Sequence, residues 1–250
     1  VRDIAMTQCA ELAAQYGERA GKELGIPVYL YEYAARKPSR QNLAKVRRGE
    51  YEGLEEKLKD PEWAPDFGPA KFVPKFGAVV TGARFFLIAY NVNLQTPDAD
   101  AAQDIALHVR EMGWPMVNAK GELVLSAKGK KVHHPGPLLN VKGMGVYLEE
   151  GNFTQISMNL TNYRITPPHT AYEQVKYEAG KRAVKTNGTE VVGLIPLEAL
   201  LLAAEYYIWR DNLPRPATEQ EAVQLAHDKL GLSSFNTFVP KKKIIEYAIS

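Results

Sequence analysis

Apolar residues recur at spacings of three and four along residues 4–24, which puts Cys9, Leu12, Ala13, Tyr16 and Ala20 on one face. This period predicts a helix, closed by Gly25 as a glycine just past a helix end does. A short apolar run over residues 26–31 predicts a strand. One helix and one strand do not make a sheet. Further strands are therefore expected from a segment preceding Val1 or from a separate polypeptide. Residues 34–59 are charged and helical in parts, with Arg36, Arg40, Arg47 and Arg48 near one another. A stretch dense in Gly, Pro and aromatic residues, 62–77, comes next.

From residue 82 the pattern changes. It predicts a long strand through 84–94, then a helix over 101–112 opened by Thr96-Pro97-Asp98. Residues 113–139 are polar and turn-rich, with a small hairpin at Gly121. Strands over 145–150 and 153–161, a helix over 170–184 and a strand over 190–195 come next. Pro196 opens another helix across the most apolar stretch, and two more helices near 218–230 and 240–247 finish the chain. The order over 82–195 is βαββαβ, the ferredoxin-like split βαβ, and the fold class is α+β.

Such a sheet carries its helices on one face. Alternate residues of a strand share a face. Phe86, Ile88, Tyr90 and Val92 then point one way, with Ile156, Met158 and Leu160 on the neighbouring strand. Asn91, Asn93, Gln155, Ser157 and Asn159 point the other way and form a polar floor. These are amides and a hydroxyl, able to donate and to accept, which suits a pterin or an amino-acid substrate.

Composition narrows the class without naming a chemistry. The 250 residues carry 45% hydrophobic and 24% charged side chains, ordinary for a globular protein. A formal net charge of +2, with scattered basic residues, calls for neither nucleic acid nor membrane. No segment reads as a signal peptide or a membrane span. A lone cysteine, Cys9, excludes an intrachain disulfide and any multi-cysteine metal site, and suits a reducing, cytoplasmic compartment. Three Asn-x-Thr sequons, at Asn152, Asn159 and Asn187, read as chance matches.

Several stretches agree with one family in order along the chain. Pro27-Val28-Tyr29-Leu30-Tyr31, Ala34-Ala35-Arg36, Arg48-Gly49-Glu50-Tyr51-Glu52, Trp63-Ala64-Pro65-Asp66-Phe67-Gly68-Pro69, Thr81-Gly82-Ala83-Arg84 and Val192-Gly193-Leu194-Ile195-Pro196 resemble the formiminotransferase domain of glutamate formimidoyltransferases, which also occurs fused to a cyclodeaminase. The resemblance implies two α/β subdomains with ferredoxin-like sheets facing each other, the first one incomplete here. Residues 1–76 would hold the rear of the first subdomain with the folate-binding segment, and 77–250 the second. It implies transfer of a formimidoyl group between N5 of tetrahydrofolate, as one-carbon carrier substrate, and L-glutamate, within histidine breakdown, in a homodimer. Folate, L-glutamate and N-formimidoyl-glutamate are the partners it implies.

The family's folate-binding segment falls on Gly68, Pro69, Ala70, Lys71, Phe72, Val73, Pro74, Lys75, Phe76 and Gly77. Glycines would allow close approach, lysines would attract the folate carboxylates, and Phe72 or Phe76 would lie against an aromatic ring. The family's acid/base histidine stands in a His-Pro-Arg-Met-Gly context, which no histidine here matches, so no catalytic residue is assigned. That histidine, expected upstream of Val1, would move protons as a tetrahedral intermediate forms and collapses. A folate-binding or structural protein without catalysis, and a glutamate formyltransferase, are the alternatives.

The remaining candidates read as ordinary structure. His133-His134 lies in a Pro/Gly loop with no further metal ligands at suitable spacing. His169 comes after Pro167-Pro168 at a helix start and reads as a capping or solvent-facing residue; His108 and His227 lie inside helices. Gly143-Met144-Gly145 opens a strand, not a helix, and so lacks what a dinucleotide fingerprint needs. No Ser-His-Asp set is legible. The four arginines read as a solvated helix face.

Overall fold

The structure is a computed structural model and describes residues 4–249. It divides into two compact units, Val1–Phe85 and Phe86–Ser250. In the first, α1 (Met6–Leu24) ends on Gly25 at φ 62°. Next, β1 (Val28–Glu32) pairs in parallel with β2 (Val79–Ala83), from Val28↔Val79 to Glu32↔Ala83. The strand that β1 needs on this edge therefore comes from later in the chain. On its other edge Val28 N–H donates to Phe67 O at 2.9 Å. Two short helices, α2 (Leu43–Val46) and α3 (Leu54–Lys57), lie between.

The buried face of α1 is made of small residues, Ala13, Gly17, Ala20 and Gly21. Leu12 and Tyr16, expected inside, are exposed instead. Close packing selects this face: a Cβ on Gly17 would sit 3.2 Å from the Phe67 and Thr81 side chains. The long strand expected over 84–94 is also corrected. Strand β2 belongs to the first unit, and residues 84–87 separate it from the next strand. The unit boundary thus falls at Phe85, later than the division at residue 76, because the β2 backbone is hydrogen-bonded to β1.

The second unit is built on β3 (Ile88–Leu94), α4 (Ala99–Val109), β6 (Val141–Leu148), β7 (Phe153–Leu160), α5 (Pro168–Gly180) and β8 (Thr186–Val192). Its sheet has the order β6-β7-β3-β8, antiparallel throughout, which is the ferredoxin-like arrangement. The Asp98 carboxylate caps α4 by accepting from the N–H groups of Asp100 and Ala101. Between α4 and β6 the short strands β4 (Trp114–Pro115) and β5 (His133–His134) pair, and Trp114 stacks between His108 and His134. Helices α6 (Leu197–Asp211) and α7 (Glu219–Leu230), then the short α8 (Pro240–Lys243) and α9 (Ile245–Ala248), complete the chain.

The core lies between the sheet and the helices. Ile88, Tyr90, Val92, Ile156, Met158 and Leu160 are all buried there, as the alternation predicts. Phe86, expected with them, precedes the strand and is exposed. On β6 a Cβ at Gly145 would lie 2.3 Å from Gln103 N, so glycine lets α4 approach the strand. Among the described residues, no helix is long and apolar enough to cross a membrane.

His169 is not the capping or solvent-facing residue expected. It is buried at the start of α5, stacked on Tyr206 at 4.5 Å, and its Nδ1 has no hydrogen-bond partner. Burial pushes its pKa from 6.5 down to about 4, against a partial opposing pull from Glu173. The unfolded chain then binds more protons than the folded one between these values. Stability should fall as the pH drops through that window, by ~3 kcal/mol at most once below it. Urea unfolding from pH 7 to pH 4 tests this; His169→Gln should flatten that part of the profile, and an unaltered profile would contradict it.

Candidate functional site

The face of the second sheet away from the helices carries the five floor residues together. Asn93 lies opposite Gln155, Asn91 opposite Ser157 and Ala89 opposite Asn159. Asn93 and Gln155 are 1% and 3% exposed, far drier than an uncovered sheet face would leave them. Ser157 is half-buried and Asn159 exposed.

The cover comes from the segment after α7. The bulged end of β8, at Gly188, docks against Gly231: Thr189 N–H donates to Gly231 O at 3.0 Å, and Thr189 Oγ1 to Leu230 O at 2.9 Å. Residues 232–238 then run along the rim of the floor. Ser234 Oγ accepts from Asn93 Nδ2 at 3.0 Å, and Asn236 Nδ2 donates to Glu190 Oε1 at 2.5 Å. Phe235 meets Phe153 edge-on at 5.1 Å.

A hydroxyl–imidazole–carboxylate chain clamps this segment. Phe238 N–H donates to Ser233 Oγ at 3.1 Å, and that oxygen lies 2.7 Å from His227 Nε2. The other ring nitrogen, Nδ1, lies 2.8 Å from Asp228 Oδ1. No such set was legible in the sequence, because Ser233 joins it only through the turn after α7.

Asn91, Asn93 and Gln155 of the floor form one connected network with Glu190. Gln155 Nε2 donates to Asn93 Oδ1 at 2.6 Å and to Glu190 Oε2 at 3.3 Å; Asn91 Nδ2 donates to Gln155 Oε1 at 3.2 Å and to Glu190 Oε2 at 3.5 Å. Sequence reasoning missed Glu190, Ser234 and Asn236. It started the last strand at Glu190, whereas β8 begins at Thr186, so Glu190 sits well inside the sheet facing the floor. Beside the amides the floor turns apolar, with Met144 and Val146 on β6 and Val192 on β8. Met144 is 56% and Val192 51% exposed, which leaves apolar surface next to polar groups, as a heterocyclic ligand requires.

The segment 68–77 lies in the first unit. Pro69, Ala70, Lys71, Pro74, Lys75 and Phe76 are exposed, Phe72 and Val73 half-buried and Gly77 buried. Phe72 packs on Tyr51, whose hydroxyl donates to Pro74 O at 2.7 Å. Phe76 and Gly77 line a cavity of about 230 Å³ with Arg47, Tyr51 and Lys57. That is below the ~300 Å³ at which ligand pockets usually begin, so it suits part of a ligand. The Lys57 ammonium is already engaged: its Nζ donates to Val46 O and Arg48 O, both at 2.6 Å, and burial lowers its pKa.

The arginines do not form one solvated face. Arg40 is buried, paired with Asp66 at 2.6 Å, and its guanidinium donates to Glu62 O and Ala64 O. Arg36 lies over the Phe67 ring. Burial holds the Tyr29 hydroxyl beside Arg40 up at about 12. Among the described residues no group of three His, Cys, Asp or Glu side chains is placed to hold a metal.

A four-stranded antiparallel sheet with an amide-lined face defines an α+β protein of ferredoxin-like order, and comparison with known proteins places it. The formiminotransferase domain matches residues 89–250, and the N-terminal subdomain of that domain matches residues 1–84. The chain belongs to the formiminotransferase family. It is 46% identical over 249 residues to formimidoyltransferase-cyclodeaminase of Dictyostelium discoideum, covering 100% of this chain and 43% of that protein. The same enzyme of Rattus norvegicus is 45% identical, with the same coverage. Glutamate formimidoyltransferase of Thermoplasma acidophilum is 44% identical over 210 residues, 83% of this chain and 62% of that protein. The chain spans less than half the length of the fused relatives it matches.

Proposed function

We propose that the chain takes part in formimidoyl transfer between 5-formimidoyltetrahydrofolate and L-glutamate, in histidine degradation. In that reaction the glutamate amine attacks the formimidoyl carbon. The amine gives up a proton as the new C–N bond forms; the bond from that carbon to N5 of the folate breaks, and N5 takes up a proton in its place. The observation that carries the reading is the amide floor, in a chain of this family. Amides fixed by their own network hold a polar ring in one orientation without reorganising, and orientation supplies much of the rate in a transfer between two bound reactants. The histidines of the chain stand off the floor, in α4, β5, α5 and α7. The amides of the floor are therefore proposed to bind and orient.

In the first unit, the exposed Lys71, Lys75 and Phe76 are proposed to hold the tail of the folate, whose carboxylates suit the two ammonium groups. The homodimer and the cytoplasmic setting belong to the same proposal; light scattering tests the former.

Turnover of N-formimidoyl-glutamate with tetrahydrofolate by the full chain, beside N-formyl-glutamate, tests the reaction. Faster use of the formyl compound would favour a formyltransferase, and folate binding without turnover a non-catalytic role. Asn159→Ala tests the floor: it lies outside the amide network, so stability should change by less than ~0.5 kcal/mol. Affinity for tetrahydrofolate should fall by ~3- to 10-fold, the loss of one hydrogen bond. Unchanged affinity in a binding titration would sink the ligand-facing role.

A further inference from the structure

We propose that Glu190 is the residue by which the floor recognises the pterin ring, accepting N–H donors from its 2-amino-4-oxo edge. The assignment rests on the proposed folate binding and adds a recognition residue to it. Glu190 lies on β8 directly opposite Asn91 on β3, among the amides of the floor. Its carboxylate takes three donors: Asn236 Nδ2, Gln155 Nε2 and Asn91 Nδ2. None of the ion pairs among the described residues includes it. A half-buried carboxylate without a cation costs stability.

The carboxylate also sets the polarity of the floor. An ionised carboxylate only accepts, so the amides facing it must turn their NH₂ groups inward. Asn91 spends its Nδ2 on Glu190 and Gln155, and its Oδ1 has no hydrogen-bond partner among the described residues. Gln155 is used at both ends. The floor therefore offers a ligand acceptors: Asn91 Oδ1 and the remaining lone pair of Glu190, since a carboxylate has about four acceptor positions. The contacts at Oε2, 3.3 and 3.5 Å, are the long ones that a better donor would improve upon.

A 2-amino-4-oxopteridine presents N3–H and the 2-amino group side by side, two donors for two neighbouring acceptors. L-glutamate fits less well. Its two carboxylates would be repelled by Glu190, and an amine held against a carboxylate stays charged and non-nucleophilic.

Binding of tetrahydrofolate and of its 2-desamino analogue to the full chain tests the assignment. The wild-type chain should prefer tetrahydrofolate by ~10-fold or more, because the analogue leaves buried acceptors unpaired. Glu190→Gln should lose that preference by weakening tetrahydrofolate binding alone. Equal wild-type affinity for both compounds, or a preference retained in Glu190→Gln, overturns the assignment and leaves the folate reading intact. Loss of L-glutamate affinity with unchanged tetrahydrofolate affinity overturns it too. A wild-type chain that binds neither pterin overturns both readings. Should Glu190→Gln not fold, Glu190→Asp, which withdraws the carboxylate by one methylene, should lower the preference, and an unchanged preference there overturns the assignment.

Discussion

Replacing Gly68 by alanine is expected to destabilise the first unit by ~3 kcal/mol or more, a backbone and overpacking effect combined. Gly68 has φ 76°, which an L side chain rarely adopts, and a Cβ built there would lie 2.0 Å from Ile26 O. Its other neighbours are the Ile26 carbonyl carbon at 2.9 Å and Gly21 Cα at 3.3 Å. All three are backbone atoms, so no side-chain rotation relieves the clash. Gly21 mirrors it, since a Cβ there would lie 2.6 Å from Gly68 N. The two glycines are the point where α1 and the 66–68 segment meet. Gly129, at φ 68° with nothing within 4 Å, is the control: alanine there should cost only ~1 kcal/mol. Thermal unfolding with limited proteolysis separates the two roles open to Gly68. A melting temperature that stays put while folate affinity falls would make Gly68 a ligand-approach residue and contradict the packing account.

Arg40→Met is expected to cost ~3–5 kcal/mol, because it strands a buried carboxylate. Asp66 accepts from Arg40 Nη1 at 2.6 Å and from Leu30 N–H at 2.8 Å on the same oxygen. The side chains of Arg40 and Asp66 are 1% and 5% exposed, so water cannot replace the guanidinium. Ala64 O would also lose its donor, while Glu62 O would keep only Lys37 Nζ, at 2.9 Å. The guanidinium lies between Tyr29 and Trp63, with Tyr29 Oη donating to Trp63 O at 2.8 Å. Arg40 thereby ties the 62–66 segment to β1 and so positions the 69–76 stretch that comes after it. Arg40→Lys should recover only part of the loss, since an ammonium cannot fork to three acceptors in a plane. Urea unfolding of the two variants and of an Arg40→Met/Asp66→Leu double variant tests this. A loss below ~1 kcal/mol for Arg40→Met would match an exposed pair and refute it.

The two effects bear on the proposed function through different links. Gly68 and Arg40 shape the segment that the resemblance assigns to folate, Gly68 by its close approach to α1 and Ile26, Arg40 by tying the preceding residues to β1. The amides of the second unit are the groups proposed to hold the ring. Measuring stability and tetrahydrofolate affinity together on each variant keeps the two apart.

Much of the second unit was legible in the sequence, since a two-residue alternation fixes which face of a strand is dry. The alternation of Ile88, Tyr90 and Val92 with Asn91 and Asn93 needs no tertiary knowledge, and neither does the pairing implied by βαββαβ order. Asn91, Asn93, Gln155, Ser157 and Asn159 emerge from it. The motif order along the chain likewise sufficed to place the family.

Tertiary structure decided the rest. Strand β2 joins β1 across more than forty intervening residues, and local pattern does not report a parallel partner at that distance. The small-residue face of α1 has little hydrophobic signal, because its worth is close approach and not apolar area. His169 and Arg40 carry polar side chains that read as exposed until the residues stacked around them are known. Glu190, Ser234 and Asn236 meet only because the bulge at Gly188 docks on the end of α7. The chain thus determined alone where its polar face lies; which groups close over that face, and in which direction its amides point, came from contacts between elements remote in sequence.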